Sequence, residues 1–346
     1  MHINTRPLHS NTPQTLTSAT KAKEAPQALP QDSLQSNKAQ LSSTEKRFHT
    51  MGQLFRSGNA QKADSIELTS SFPGRDGYDK NFLGTTLELP SLDPSIQDKA
   101  ATLVGKGNQT ELKYTNFSIV MNKERRQAFF SSVNIDGAKI VNVSRKGSKW
   151  VTDSRIPRDQ QLGNEAYRNN PIDRGHMVRR RDPVWGPDAK QANADTFSYT
   201  NAGLQHGSLN QKSWLQLENH ILDQAKAKGQ KLTVITGPVF SDDDPKFNNG
   251  GRMKEATQIP KEFYKVVVWN DPEEGLKGAG FIQSQKNYVR GNNLFKSDSG
   301  FDTGEMNVFQ LPIDELQKLT KLNFGQVQDT STEARHLQDG QNVRLF

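Results

Sequence analysis

The chain of 346 residues contains no cysteine. This absence excludes disulfide bonds, cysteine-ligated zinc, iron–sulfur clusters and a catalytic thiolate. A protein without thiols tolerates oxidising and reducing surroundings alike, so the absence does not indicate a compartment.

Hydrophobic residues are scarce, at 32% of the chain, and no run approaches the roughly 18 apolar residues that a membrane-spanning helix needs. The first 50 residues hold 13 serines and threonines and four prolines, but only eight large hydrophobic residues. Such a segment cannot bury enough apolar surface to offset the entropy lost on ordering. We predict a disordered Ser/Thr/Pro-rich leader or delivery segment over residues 1–70, a folded domain over 71–328 and a polar tail over 329–346, with no membrane insertion.

The leader carries no clear targeting signal. Its start, MHINTRPLHS, lacks the charged and apolar regions of a secretory signal peptide. Acidic residues begin only at Glu24, as in a transit peptide, but Arg6 is the only arginine before Arg47. Three interpretations stay open: secretion or delivery by a non-Sec route, import into mitochondria, or an unaddressed tail on a cytoplasmic protein. Our working hypothesis is the first.

Hydrophobic patterning predicts the fold class. Four apolar, β-rich runs indicate strands: 115–122, 127–135, 232–240 and 263–270. We expect the first two to form an antiparallel pair and the third to end at Gly237-Pro238. Helical spacing predicts a helix over 208–229, with Leu215, Ile221 and Leu222 inward, and another over 312–325. Because strands and helices do not alternate, the pattern favours an α+β fold.

Positive charge is concentrated in one segment. The chain carries a net charge of +7, whereas residues 106–181 hold 16 Lys and Arg against seven Asp and Glu, a net of +9. A local excess of this size is either a solvated basic face or the footprint of a polyanionic partner.

One histidine stands in a context suited to catalysis. His176 closes the tetrapeptide DRGH (173–176) inside the basic segment. Histidine titrates near neutral pH and can take a proton from water. Arg174 can bind a phosphate, and Gly175 lets the backbone approach a neighbour closely. Read alone, the tetrapeptide fits a chance charged loop better than a catalytic site.

A second polar set follows at regular spacing. Asn201, Asn210 and Glu218 lie nine and eight residues apart, with Asn210 at the start of a predicted helix. An amide oxygen is a suitable single protein ligand for Mg²⁺, which keeps most of its water shell. Glu218 would lie about 12 Å further along the helix, so it suits a water of the metal better than the metal itself. The alternatives are a helix cap and a solvated glutamate.

Together these motifs resemble the DNA/RNA non-specific endonuclease family, which includes secreted bacterial sugar-non-specific nucleases and mitochondrial endonuclease G. The resemblance rests on DRGH, Tyr199-Thr200-Asn201, Leu209-Asn210-Gln211, Trp214, Leu217 and Glu218, in this order. It extends over about residues 75–325. It implies a ββα-metal (His-Me finger) core with a central, mainly antiparallel sheet flanked by helices.

The resemblance also implies an activity, the hydrolysis of DNA and RNA to 5′-phosphate products. The implied catalytic set is His176, Arg174, Asp173, Asn201 and Glu218, with Asn210 holding a single Mg²⁺ that Mn²⁺ or another divalent ion replaces. His176 would be the general base and Arg174 would stabilise the phosphoryl oxygens. Asn201 would fix the loop of His176, and Glu218 would orient the water shell of the metal. Asp173 would be structural, bonded to the backbone or to an arginine.

Arginines are also expected at the substrate. Family members carry an arginine upstream of the histidine that steadies the phosphate; Arg145 is the nearest match, with Lys149 and Arg155 as alternatives. Arg179, Arg180 and the arginine that follows are candidate contacts to the nucleic-acid backbone. Because phosphates carry no base information, we predict low sequence specificity.

Other functions stay open. A basic nucleic-acid-binding protein without catalysis would need the arginines but neither His176 nor Asn210. A two-metal hydrolase would need clustered carboxylates, and the run Asp242-Asp243-Asp244 is more typical of a polar turn. Since a non-specific nuclease damages its own cell, we also predict export, compartmentation or an inhibitor or immunity protein as partner, as for a delivered toxin or effector.

Overall fold

The structure is a computed structural model, and it describes residues 67–211, 213–289, 308–330 and 335–337. All of them belong to the second of two compact units, Ser65–Phe346; the first unit is Met1–Asp64. The predicted leader up to residue 66 and the end of the predicted tail lie outside the described residues. Within the described part, no helix has the length and apolar character needed to cross a membrane.

The described residues form short helices and many strands. The α-helices are α1 Ala189–Asp195, α2 Gly207–Gln211, α3 Ser213–Lys228 and α4 Ile313–Thr320. The strands are β1 Thr69–Ser70, β2 Ser91–Leu92, β3 Glu111–Tyr114, β4 Phe117–Asn122, β5 Gln127–Asp136, β6 Thr152–Asp153, β7 Ile172–His176, β8 Ala202–His206, β9 Lys231–Val239, β10 Lys246–Phe247, β11 Thr257–Gln258, β12 Glu262–Asp271, β13 Gly275–Ser284, β14 Val308–Leu311, β15 Leu322–Asn323, β16 Gln328–Asp329 and β17 Arg335–Leu337.

One large sheet organises these elements. Its order is β17-β14-β13-β12-β9-β5-β4-β3, with β16 beside β13. All neighbours along this path are antiparallel, and only β16 pairs in parallel. The predicted antiparallel pair is confirmed, since β4 and β5 pair from Phe117 opposite Val133 to Asn122 opposite Gln127. The α+β fold with a central, mainly antiparallel sheet is therefore confirmed.

Both faces of this sheet are buried, which explains its continuous hydrophobic runs. Along β12, Phe263 and Val267 face the cluster that contains Trp214 of α3. Val266 and Val268 face a second cluster that contains Leu316 of α4. Because side chains alternate along a strand, Lys265 projects on the α3 side, where its ammonium lies 4.9 Å from the centre of the Trp214 ring.

The expected end of the third predicted strand is wrong. β9 continues through Gly237 and Pro238, which pair with Tyr264 and Phe263 of β12. A Cβ atom at position 237 would lie 2.3 Å from the carbonyl oxygen of Phe129. Glycine therefore serves a close approach between strands here, and not a turn.

The predicted helices are correct in place but not in detail. The first is described as α2 and α3, with residue 212 outside the described part, and Gly229 ends it at φ 59°. Leu215 is 40% exposed, so its expected inward position is wrong. The second helix stops at Thr320, because Lys321 turns into the left-handed region at φ 58° and Leu322 joins β15.

The ends of the predicted domain also extend further. β1, at the end of the predicted leader, pairs with β6, and Glu67 forms an ion pair with Arg158. At the other end, β16 and β17 pair with β13 and β14, so paired strands extend into the predicted polar tail.

Candidate active site

The motif residues lie on a small two-stranded sheet and the helix after it. β7 pairs with β8 in antiparallel register, with Ile172 opposite His206 and His176 opposite Ala202. The chain passes directly from β8 into α2, which carries Asn210. Two antiparallel strands followed by a helix are the ββα arrangement that the sequence predicts.

Because Gly175 has no side chain, it leaves room for the side chain of Gln205 on the neighbouring strand. A Cβ atom there would lie 1.9 Å from Oε1 of Gln205, a fully buried side chain of β8. The close approach is therefore made to the neighbouring strand.

Asn201 fixes the chain immediately after the histidine. Its Oδ1 accepts a hydrogen bond from the Val178 amide at 2.8 Å, and its Nδ2 donates to the carbonyls of Val178 and Thr196, both at 3.0 Å. Its own carbonyl accepts from the Met177 amide. Asn201 has no exposed surface, and its hydrogen bonds hold the chain that follows His176.

His176 is half-buried between two aromatic rings. Its ring centroid lies 5.0 Å from that of Trp150 and 5.4 Å from that of Phe197. Its Nε2 atom is buried and has no hydrogen-bond partner among the described residues. A buried polar atom without a partner is costly and is typical of a site that receives a ligand.

Electrostatics keep this imidazole neutral. Burial, followed by the positive charges of Arg145 and Arg180, lowers the pKa of His176 from 6.5 to about 3. At neutral pH the ring therefore holds no net charge, and one ring nitrogen is available as a proton acceptor.

The structure distinguishes among the candidates for the phosphate-steadying residue. The Arg145 guanidinium is exposed and lies 5.6 Å from the centre of the Phe197 ring, which also contacts His176. The Arg155 guanidinium is instead held by the Asp153 carboxylate and the Lys113 carbonyl. Arg145 is thus brought to the histidine, and Arg155 is not.

Arg174 does not point into open space. Its guanidinium carbon lies 5.8, 5.3 and 5.7 Å from the ring centres of Trp150, Tyr167 and Tyr199. Its Nη2 donates to Oδ1 of Asn164 at 2.5 Å. The guanidinium is therefore packed among aromatic rings, while its Nε atom is buried without a hydrogen-bond partner among the described residues. The role of Arg174 as a phosphate contact stays a prediction.

Asp173 orients the side chain of Asn210. Its Oδ2 accepts hydrogen bonds from Nδ2 of Asn210 at 3.0 Å and from Nε2 of Gln211 at 2.8 Å. The described partners of the Asp173 carboxylate are thus two side-chain amides of α2, in place of the backbone or arginine partner that was expected. Oδ1 of Asn210 accepts no hydrogen bond from the described residues, so a hard cation such as Mg²⁺ fits there as a ligand of that oxygen.

Carboxylates elsewhere do not form a metal centre. The described residues contain no group of three or more His, Asp or Glu side chains suited to holding a metal. In the run 242–244, Asp243 pairs with Lys261, and Asp244 is buried against Arg125 and the Ser241 amide. This run is the turn that the sequence favours.

Glu218 lies in a separate buried cluster beneath α3. Its carboxylate oxygens lie 3.5 Å from Nζ of Lys265 and 3.7 Å from Nε of Arg179. Arg179 also donates to the Glu218 carbonyl at 2.8 Å and to Asn219, and Lys265 donates to Thr236 at 2.8 Å. Arg179 is only 8% exposed, so the expected contact of Arg179 with a nucleic-acid backbone does not fit its position.

Burial shifts the titration of this cluster. It raises the pKa of Glu218, an effect that Lys265 and Arg179 oppose, and it raises the pKa of Asp182 to about 7. It lowers the pKa of Lys265, against the attraction of Glu218 and Asp182. The charges compensate one another inside the protein.

Arg180 has a role that the sequence did not indicate. Its Nη1 donates to the Val143 carbonyl at 2.9 Å and to Oδ1 of Asn193 at 2.8 Å. The guanidinium thus ties the loop that carries Arg145 to α1. Trp150, Phe197 and Lys265 were also missed; only Lys265, a charge inside an apolar run, left a signal in the sequence.

The fold and the site define a ββα protein with a half-buried, neutral histidine on the first strand of the ββα unit. A model of the DNA/RNA non-specific endonuclease family matches residues 99–331. The chain belongs to this family.

Individual relatives share parts of this region. The chain is 37% identical over 232 residues to the uncharacterized protein y4fB of Sinorhizobium fredii, which covers 63% of this chain and 34% of that protein. It is 35% identical over 124 residues to a salivary endonuclease of Lutzomyia longipalpis, covering 35% of this chain and 29% of that protein. The chain therefore spans about a third of the length of the curated relatives it matches.

A solved structure is also similar. The crystal structure of the EndoG/EndoGI complex, described as showing the mechanism of EndoG inhibition, matches with a TM-score of 0.47 and 18% identity. The match covers 62% of this chain and 85% of that chain.

Proposed function

We propose that this protein is a metal-dependent endonuclease that hydrolyses phosphodiester bonds of DNA and RNA without sequence preference and leaves 5′-phosphate ends. One observation carries the proposal: a neutral, half-buried His176 on the first strand of a ββα unit, with its Nε2 atom unpaired. Family membership supports the same activity.

His176 acts as the general base. Its free ring nitrogen takes a proton from a water molecule while the water oxygen forms a bond to phosphorus. The bond from phosphorus to the 3′ oxygen breaks, and that oxygen takes a proton from solvent. A positioned base of this kind accelerates such a step by about 10²–10⁴-fold.

Arginine and asparagine side chains prepare the phosphate. Arg145, exposed beside the Phe197 ring, stabilises negative charge on the phosphoryl oxygens. Oδ1 of Asn210 is the proposed ligand of a divalent cation, and Asp173 holds that amide in the required orientation. When bound, Mg²⁺ would neutralise charge on the phosphate and on the leaving oxygen; Mn²⁺ would substitute for it.

Partners and destination are proposals of the same kind. A free nuclease without sequence preference attacks the nucleic acid of its own cell, so we expect an inhibitor or immunity protein, or secretion or delivery by a non-Sec route as a toxin or effector. Import into mitochondria and residence in the cytoplasm are the alternatives.

The test is digestion of supercoiled plasmid and of total RNA by the purified full chain, with Mg²⁺ and with EDTA. We expect wild type to cut both substrates only with Mg²⁺, and His176→Ala to lose this cutting. His220→Ala, a histidine of α3, serves as the matched control and should cut like wild type. Wild-type protein that binds plasmid but never cuts it would support the rival function, nucleic-acid binding without catalysis.

A further inference from the structure

The loop between β5 and β6 carries unbalanced positive charge. Residues 137–151 contain four basic residues and no acidic residue. Arg145, Lys146 and Lys149 are all exposed and form no ion pair with the described residues. We call residues 142–149 the basic loop.

The basic loop is held in a defined shape. Ser148 donates its amide to the Arg145 carbonyl at 3.1 Å, and Gly147 has φ 84°. This bond and the positive φ at the third position define a type II turn, which Gly147 permits. The turn brings Arg145, Lys146 and Lys149 within one short bend of the chain.

Both ends of the basic loop are anchored at the candidate active site. At its start, Arg180 donates to the Val143 carbonyl at 2.9 Å. At its end, Trp150 packs on the His176 ring, and the Val151 amide donates to the Phe197 carbonyl at 3.0 Å. A shift of the basic loop would therefore move Arg145 relative to His176.

The surroundings add further positive charge. Burial and then the like charges of Arg145, Arg181 and Arg179 lower the pKa of Arg180. Arg179 is paired with Glu218, whereas only like charges act on Arg180. An anion bound beside Arg145 and Arg180 would relieve their mutual repulsion. Phosphate groups of a nucleic-acid strand supply such anions without base-specific contacts.

We propose that the basic loop grips the nucleic-acid strand beside the cleaved bond, with Lys146 and Lys149 on neighbouring phosphates and Arg180 as the residue that positions the loop. The proposal rests on the proposed function, because it names the surface that brings substrate to His176. In this proposal Arg179, which is buried, does not contact the nucleic acid. Arg180 holds the basic loop in place and does not contact the nucleic-acid backbone.

The experiment measures binding apart from cleavage. Full-length His176→Ala protein, the parent, is titrated against fluorescent DNA and RNA oligonucleotides across a salt series. The same titration is made with a variant that also carries Lys146→Ala and Lys149→Ala. The control pair is Lys99→Ala/Lys318→Ala, two lysines outside the basic loop that each form a surface ion pair, with Glu124 and Asp314. Thermal unfolding confirms that each variant is folded.

We expect the loop pair to raise the Kd about tenfold at ~0.1 M salt. The magnitude of the slope of log K against log salt should fall by about 1.8 on duplex DNA and about 1.4 on single strands, the effect of two lost phosphate contacts. The control pair should match its parent. In a background with His176, Arg180→Gln should lower kcat more than it raises KM, because it displaces Arg145.

The outcomes separate the two proposals. If the Lys146→Ala/Lys149→Ala variant binds with the Kd and salt slope of its parent while wild type still cleaves, the basic loop does not hold the strand. The proposed function then stands. If the parent binds neither DNA nor RNA at any salt concentration and wild type does not cleave, the proposed function fails, and the grip fails with it.

Discussion

Two regions of the molecule hold family motif residues at the expected spacing but differ in their charge balance. Around His176 lie Arg145 and Arg180 with no compensating acid, and Nε2 of the histidine has no partner among the described residues. Around Glu218, two cations and a second carboxylate balance one another beneath α3. Charges that are balanced internally stabilise and position; charges left unbalanced at a surface are available to a ligand.

Two arginines of the candidate site show the same difference between an enclosed charge and an available one. Arg174 belongs to the most recognisable motif, yet three aromatic rings and Asn164 surround its guanidinium. Arg145 belongs to no clear motif, yet it is exposed next to the ring that contacts His176. The spacing of a motif therefore identifies the site, while the partners of each side chain identify its role.

The largest expected effect comes from breaking the balanced cluster. Lys265→Met leaves the buried Glu218 carboxylate short of one cation, and we expect it to reduce the free energy of unfolding by about 3–5 kcal/mol. Urea denaturation measures this, with the exposed Lys246→Met as a control that should stay within ~0.5 kcal/mol. The double variant Glu218→Gln/Lys265→Met should recover part of the loss; a double variant as unstable as the sum of both singles would show that the two charges do not interact.

Removal of Asn201 tests the scaffold under the unbalanced region. Asn201→Ala strips hydrogen bonds from the Val178 amide and carbonyl and from the Thr196 carbonyl, all in the interior. We expect a loss of about 3 kcal/mol in the free energy of unfolding and a lower kcat, because the chain after His176 is released. Asn108→Ala, at an exposed site, should change neither the free energy of unfolding nor kcat. Unchanged stability with lost activity would place Asn201 in direct contact with substrate.

A smaller effect is expected from the caged arginine. Arg174→Ala should cost about 1–2 kcal/mol in stability through lost cation–π contacts, with no change in the salt dependence of binding. The exposed Arg168→Ala is the control for stability. A salt slope reduced by about 1, with stability unchanged, would return Arg174 to the phosphate role that the motif suggested.

The last prediction concerns pH, and near neutral pH its effect on stability is the smallest of the set. With the folded pKa of His176 near about 3 and 6.5 in the unfolded chain, the unfolded state binds more protons between these values. The contribution of His176 to stability therefore falls as pH drops from 6.5 towards 3. An NMR titration of its ring should show no midpoint between pH 5 and 8, and Arg145→Ala should raise the midpoint. A wild-type midpoint at 6.5 or above would contradict the combined influence of burial and the two arginines on this pKa.

Much of this architecture could be predicted from the sequence. The apolar runs that became β4, β5, β9 and β12 are long and β-rich, and DRGH with Asn201 and Asn210 located the site. The strand end at Gly237-Pro238 failed because a glycine that admits the Phe129 carbonyl cannot be told from a turn glycine without the neighbouring strand.

Side-chain partners across long sequence separations could not be predicted. Arg179 and Arg180 are adjacent, yet one is buried against Glu218 and the other ties Val143 to Asn193. Such assignments depend on which face of the chain packs on α3, and a charge pattern does not carry that information.

The most direct test of the contrast is a paired measurement on His176→Ala and Lys265→Met: the cleavage rate on plasmid with Mg²⁺ and the free energy of unfolding. We predict that His176→Ala loses about 10²–10⁴-fold in rate while its stability stays within about 1 kcal/mol of wild type. Lys265→Met should lose stability, while the protein that stays folded should still cut plasmid. A His176→Ala protein that cuts at the wild-type rate would contradict the assignment of the chemistry to the unbalanced region.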